Sequence, residues 1–149
     1  MPREHPQLKI KRLHPHAKLP KRATPGATGF DLFACIEDKS TIMLVGTRPK
    51  LIPTGIAIEV PQGYDVQIRP RSGLSAKGVG VTFGTIDSDY RGEILITMYL
   101  FDPNAAFEIK HGDRIAQMVV SRIADLLLVE VEKLAPTERG VGGHGSTGT

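Results

Sequence analysis

Apolar and polar residues alternate with period two in three stretches: Leu8-Lys9-Ile10-Lys11, Gly55-Ile56-Ala57-Ile58-Glu59-Val60 and Asp65-Val66-Gln67-Ile68-Arg69. Successive strand side chains point to opposite faces, so this period predicts strands with one face on a core. More apolar runs at 41–45, 94–101, 115–120 and 126–131 predict further strands, buried on both faces. Glycines and prolines, 16 and 11 of them, punctuate these runs. Pro61-Gln62-Gly63 and Asp102-Pro103-Asn104 read as turns. Only residues 72–77 look like a short helix. Short strands at this spacing predict an all-β sandwich or closed barrel rather than a βαβ fold.

The pattern fades near Pro136. Half of the last ten residues are glycine, so the segment cannot offset its ordering entropy alone and is expected to be mobile. The chain therefore divides into a β body, 1–135, and a tail, 136–149. At 149 residues the body is one domain with room for a core. The 40% hydrophobic and 23% charged content is ordinary for a soluble protein. No apolar run approaches the ~20 residues that span a bilayer, and the polar N-terminus has no signal-peptide core. A lone cysteine, Cys35, sits in an apolar run; it reads as a buried structural thiol and fits a reducing, cytoplasmic compartment. The net charge of +3 is slight, with its surplus at Lys9, Lys11, Arg12, Lys18, Lys21 and Arg22. Without interleaved aromatics these cations read as a solvated arm rather than a nucleic-acid site.

The chemistry concentrates in turns. Gly84-Thr85-Ile86-Asp87-Ser88-Asp89-Tyr90-Arg91-Gly92-Glu93 places acids, an aromatic and a cation between two β-like runs. Asp87 there is either a water-activating base or a turn aspartate satisfying backbone amides, as Asp89 also can be. Tyr90 alone would be an ordinary strand aromatic. Arg71-Ser72-Gly73 opens the helical turn, whose free N–H groups favour an anion, while Ser72 would equally serve as its N-cap. Gln117, an amide between Ala116 and Met118, is costly to bury unpaired and is expected to reach a polar ligand or an interface. Asp31, between Phe30 and Leu32, is either a structural acceptor or an outer metal residue. Asp113 and Arg114 are as suited to pairing with each other as to a site. Gly140 and Gly145 have P-loop spacing, but no lysine or helix follows. Glycine amides with Ser146 and Thr147 can still wrap a triphosphate. No cluster has zinc spacing, and His14 and His16, two apart among prolines, are a poor metal pair.

Five segments in order, Thr24-Pro25-Gly26-Ala27-Thr28-Gly29-Phe30-Asp31-Leu32, Pro70-Arg71-Ser72-Gly73-Leu74, the Gly84–Glu93 turn, Gly112-Asp113-Arg114-Ile115-Ala116-Gln117 and the glycine-rich tail, resemble the five motifs of the homotrimeric dUTPases. The resemblance runs from Thr24 to the C-terminus. It implies a jelly-roll-like distorted barrel, a homotrimer with sites between subunits, and hydrolysis of dUTP to dUMP and pyrophosphate. That reaction limits uracil incorporation into DNA and supplies dUMP for dTMP synthesis. By the same resemblance Asp87 is the catalytic base, and Tyr90 lies under the deoxyribose, excluding a 2′-hydroxyl. Arg71, Ser72, Gly73 and Gln117 meet the phosphates. A hairpin at 79–85 closes on uracil, with Gly84 and Thr85 nearest the base, and Ile86 and Leu95 are further substrate-binding residues. Arg139, His144, Gly145, Ser146 and Thr147 belong to the arm that closes the site. Mg²⁺ is implied, held through phosphates and waters, with Asp31 and Gln117 as outer-shell candidates.

Two features depart from the family pattern. The span between Lys77 and Asp87 is short and lacks an asparagine, so base recognition must lean on main chain. The arm carries His144 where the family usually has a phenylalanine that stacks on uracil. Two rivals remain. A dCTP deaminase of the same superfamily would need a glutamate and a differently built serine–arginine segment. A non-catalytic nucleotide-binding or capsid-like trimer would have lost Asp87 or the arm.

Overall fold

The structure, a computed structural model, describes residues 4–148. Eleven strands dominate it: β1 Lys9–Arg12, β2 Phe30–Phe33, β3 Thr41–Val45, β4 Lys50–Pro53, β5 Ile56–Glu59, β6 Tyr64–Arg69, β7 Val79–Val81, β8 Gly84–Ile86, β9 Leu95–Leu100, β10 Ala106–Lys110 and β11 Arg114–Arg122. Helical structure is limited to a 3-10 turn at Glu37–Lys39 and one turn of helix, α1, at Ser72–Ser75. The strands form four small antiparallel sheets, ordered β1-β5, β10-β3, β2-β11-β6-β8 and β4-β9-β7. The architecture is all-β and jelly-roll-like.

One face of each principal strand closes on a shared core. Leu32, Leu44, Ile52, Val66, Ile96, Met98 and Ile109 are fully buried there. Thr54 is the buried polar side chain of this core, and its hydroxyl donates to the Ile94 carbonyl at 2.6 Å. Cys35 belongs to the same cluster, and burial, followed by the charge of Glu93, pushes its thiol above the ordinary cysteine range. Gly55 is required beside it: φ is +68°, and a Cβ would lie 2.8 Å from Cys35 Sγ.

The long apolar runs differ from expectation in this single chain. β3 and β9 alternate between buried and exposed rather than being buried on both faces. Met43, Val45, Leu51, Leu95 and Phe101 face outward. Residues 126–131 form no strand at all, and Leu127 and Leu128 are 89% and 94% exposed. Apolar side chains predict a buried strand only if a neighbouring edge exists to pair with, and within one chain this segment meets none. The hairpin expected at 79–85 is also absent as a pair. β7 bonds to β9, whereas β8 bonds to β6, so consecutive strands diverge into different sheets.

Candidate active site

Asp87 opens the turn between β8 and β9, and its carboxylate is exposed. The turn closes through the Tyr90 N–H, which donates to the Asp87 carbonyl at 3.1 Å. Tyr90 is pinned more firmly, its hydroxyl donating to the Glu93 carbonyl at 2.8 Å. Gly92 makes that position possible, because a Cβ there would lie 2.6 Å from the Tyr90 ring. Glu93 holds the turn to the body by accepting the Gly55 N–H at 2.9 Å. Gly92 and Glu93 were not among the expected site residues. The signal for them was local: a small residue must sit where an aromatic folds back over its own turn.

Arg71 and its neighbours form a second cluster. Arg71 Nε donates to Asp31 Oδ1 at 3.1 Å, and Arg71 also donates to the Arg114 carbonyl at 3.2 Å. Arg114 approaches the other Asp31 oxygen at 3.7 Å. Asp31 is thus the shared partner of two guanidiniums. Asp113 and Arg114 do not pair with each other; the Asp113 carboxylate accepts the Lys110 N–H at 2.8 Å. Gln117, on β11, stands opposite Asp31 on β2 and Arg69 on β6, donates to the Pro70 carbonyl at 3.0 Å, and turns its own oxygen toward Gly29. A side chain at Gly29 would displace that amide. The amide thereby braces the turn that carries Arg71, Ser72 and Gly73. Ser72 is the first helical residue of α1, with Arg71 in the capping position, so its hydroxyl is not the N-cap.

β8 is an edge strand of its sheet, which leaves one row of backbone groups on Gly84–Ile86 open. Thr85 directs its hydroxyl to Gln67 at 3.3 Å, and Ile86 packs on the core. Leu95, at the start of β9, is 41% exposed. Gly84 pairs with Ile68 toward the Arg71 end of β6, while Ile86 pairs with Val66 toward the other end. Asp87, next to the Ile86–Val66 pair, and Arg71 therefore lie at opposite ends of β6, roughly 20 Å of chain apart. The tail is likewise separate. Arg139 donates to the Gly142 carbonyl at 2.8 Å, and the other hydrogen bonds found for 137–148 also stay within that segment. His144 and Gly145 both have positive φ, 49° and 87°. One chain thus presents three groups that it does not itself bring together: the Asp87–Tyr90 turn, the Arg71–Gln117 cluster, and the arm with Arg139, His144, Gly145, Ser146 and Thr147.

An edge strand with open backbone groups, an exposed carboxylate and a separate cationic turn class this as a β protein with polar groups free to meet a ligand. The comparisons narrow that class. The family model for dUTPase matches residues 15–148. A Nautilia profundicola protein named deoxyuridine 5'-triphosphate nucleotidohydrolase is 53% identical over 145 residues, covering 95% of this chain and 99% of that one. A Helicobacter hepaticus protein of the same name is 48% identical, covering 97% and 90%. Among solved structures, the dUTPase G164S mutant of Staphylococcus bacteriophage 80alpha, bound to dUpNHpp, superposes with a TM-score of 0.86 at 27% identity, covering 96% and 99%. The chain belongs to the dUTPase family, and with it to the nucleotide hydrolases.

Proposed function

We propose that the chain hydrolyses dUTP to dUMP and pyrophosphate, with Asp87 as the base. The observation that carries this reading is the turn at 86–93, where an exposed aspartate shares a turn with a tyrosine held by its hydroxyl and packed close to Gly92. Asp87 takes a proton from a water aligned with the α-phosphorus. The new P–O bond forms as the bond to the bridging oxygen breaks, and pyrophosphate leaves without a covalent enzyme intermediate. Arg71, fixed by Asp31, and the amides at Ser72 and Gly73 offset the charge that grows on the departing group. The open backbone of Gly84–Ile86 offers donors and acceptors to a uracil edge, which suits a site lacking an asparagine. Assaying pyrophosphate release from dUTP with Mg²⁺, against ammonia release from dCTP, tests this reading and its deaminase rival together.

Mg²⁺ fits this chemistry as a cation carried by the triphosphate. Among the described residues no three His, Cys, Asp or Glu side chains group to hold a metal. Asp31 is engaged by two arginines and Gln117 by Pro70, so both reach a metal only through water. When bound, the ion neutralises phosphate charge.

The active assembly in this reading is a homotrimer with shared sites. A neighbouring copy brings an Asp87 turn to the Arg71 cluster, and the 136–149 arm, whose Thr149 lies outside the described residues, closes over both. Two substitutions probe the ligand side. Tyr90→Ala should raise the use of UTP relative to dUTP; an equal loss for both nucleotides would make Tyr90 a packing residue. His144→Ala should weaken a non-hydrolysable dUTP analogue by roughly 1–3 kcal/mol, the worth of one base stack, and His144→Phe should restore it. Equal affinity in all three proteins would leave arm closure to Arg139, Ser146 and Thr147.

A further inference from the structure

A cluster of nitrogen side chains stands outside the groups described above. The rings of His14 and His16 are 5.4 Å apart, and His111, from the turn between β10 and β11, meets His16 edge-on at 6.4 Å. Lys18 approaches the same turn, since a Cβ on Gly112 would lie 2.8 Å from its ammonium. Lys39 ends the 3-10 turn whose capping residue, Ile36, donates its N–H to His111, which brings that turn to the same cluster. Among the described residues none of these five side chains forms an ion pair with a carboxylate. The nearby Asp113 is occupied by the Lys110 N–H.

The hydrogen bonds decide what such a cluster can bind. His111 Nδ1 accepts the Ile36 N–H at 3.1 Å, and His14 Nδ1 accepts the His16 N–H at 3.2 Å. A neutral imidazole carries one proton, so in both rings it resides on Nε2. Each ring thus presents an N–H donor outward. A metal ion needs the reverse, a lone pair on the outward nitrogen, and would break both bonds. Burial first, then the cations around it, holds His111 below the ordinary imidazole range, which keeps the ring neutral, while the Ile36 N–H fixes its tautomer.

We propose that His14, His16, Lys18, Lys39 and His111 form a cradle for a small free phosphoryl anion, inorganic phosphate or pyrophosphate. Two Nε2–H donors and two ammoniums supply directed and undirected attraction, and among the described residues no carboxylate is ion-paired with them. The cradle makes no use of Asp87, Arg71 or the arm, so it stands whether or not the proposed reaction does.

Nitrogen–proton spectra of the histidine rings, recorded on the full chain while phosphate and then pyrophosphate are added, test the proposal. The Nε2 signals of His14 and His111 should move saturably with one anion or both, and the stronger shift identifies the preferred one. The Lys18→Ala, Lys39→Ala double variant should lose roughly tenfold or more in affinity, as expected for charge-assisted bonds, with dUTP turnover unchanged. If that variant does not fold, His14→Ala, which removes one of the two Nε2–H donors, reads the same loss. Static ring signals, undiminished affinity in the variants, free rings protonated on Nδ1, Zn²⁺ bound through these rings, or a short DNA duplex bound more tightly than pyrophosphate would each overturn the proposal.

Discussion

Asp87→Asn is expected to lower dUTP turnover by about 10²- to 10⁴-fold, with stability and analogue affinity intact. The amide matches the carboxylate in shape but cannot take a proton from water. Stability should hold because the Asp87 side chain is exposed and its turn closes through the backbone carbonyl, not the carboxylate. Single-turnover rates and analogue binding on the purified variant check both halves. Near-normal turnover would move the base elsewhere, with Asp89 the next carboxylate in the turn.

Leu127→Asp combined with Leu128→Asp is expected to dissociate the proposed homotrimer and abolish activity with it. Both side chains are almost fully exposed in a single chain, amid a run that also exposes Leu126, Val129 and Val131. Burying one leucine is worth about 1.5–3 kcal/mol, so two per chain form a large part of any interface they enter. A carboxylate at each position reverses that gain by requiring desolvation of a charge. Sedimentation should give three times the 16.2 kDa chain mass for the natural protein and one chain mass for the variant. Activity should vanish with assembly, since Asp87 and Arg71 lie at opposite ends of β6 within one chain. A monomeric but active variant would show that one chain builds its own site. A trimeric variant would place these leucines outside the interface.

The local physics of this chain was legible in its residues. Period-two alternation marked β1, β5 and β6, and the apolar runs marked β3, β9 and β11, because burying one strand face requires only that pattern. The turn around Asp87, the helical turn after Arg71 and the buried Cys35 were equally local. The short strands β2, β4 and β10 escaped detection: four or five residues with mixed polarity carry too weak a period. Pairing was beyond the pattern altogether. Nothing in Val79–Ile86 says that β7 will join β9 while β8 joins β6, since backbone hydrogen bonds are the same for any partner. The engagement of Asp31 by Arg71 and Arg114, the bracing of Pro70 by Gln117, and the meeting of His111 with His14 and His16 follow from sheet order, which sets distances between residues remote in sequence. Residues 126–131 mark the boundary most sharply. Their composition demanded burial, yet in the folded chain they pair with no strand and stay exposed, because pairing is set by tertiary placement and not by apolar content.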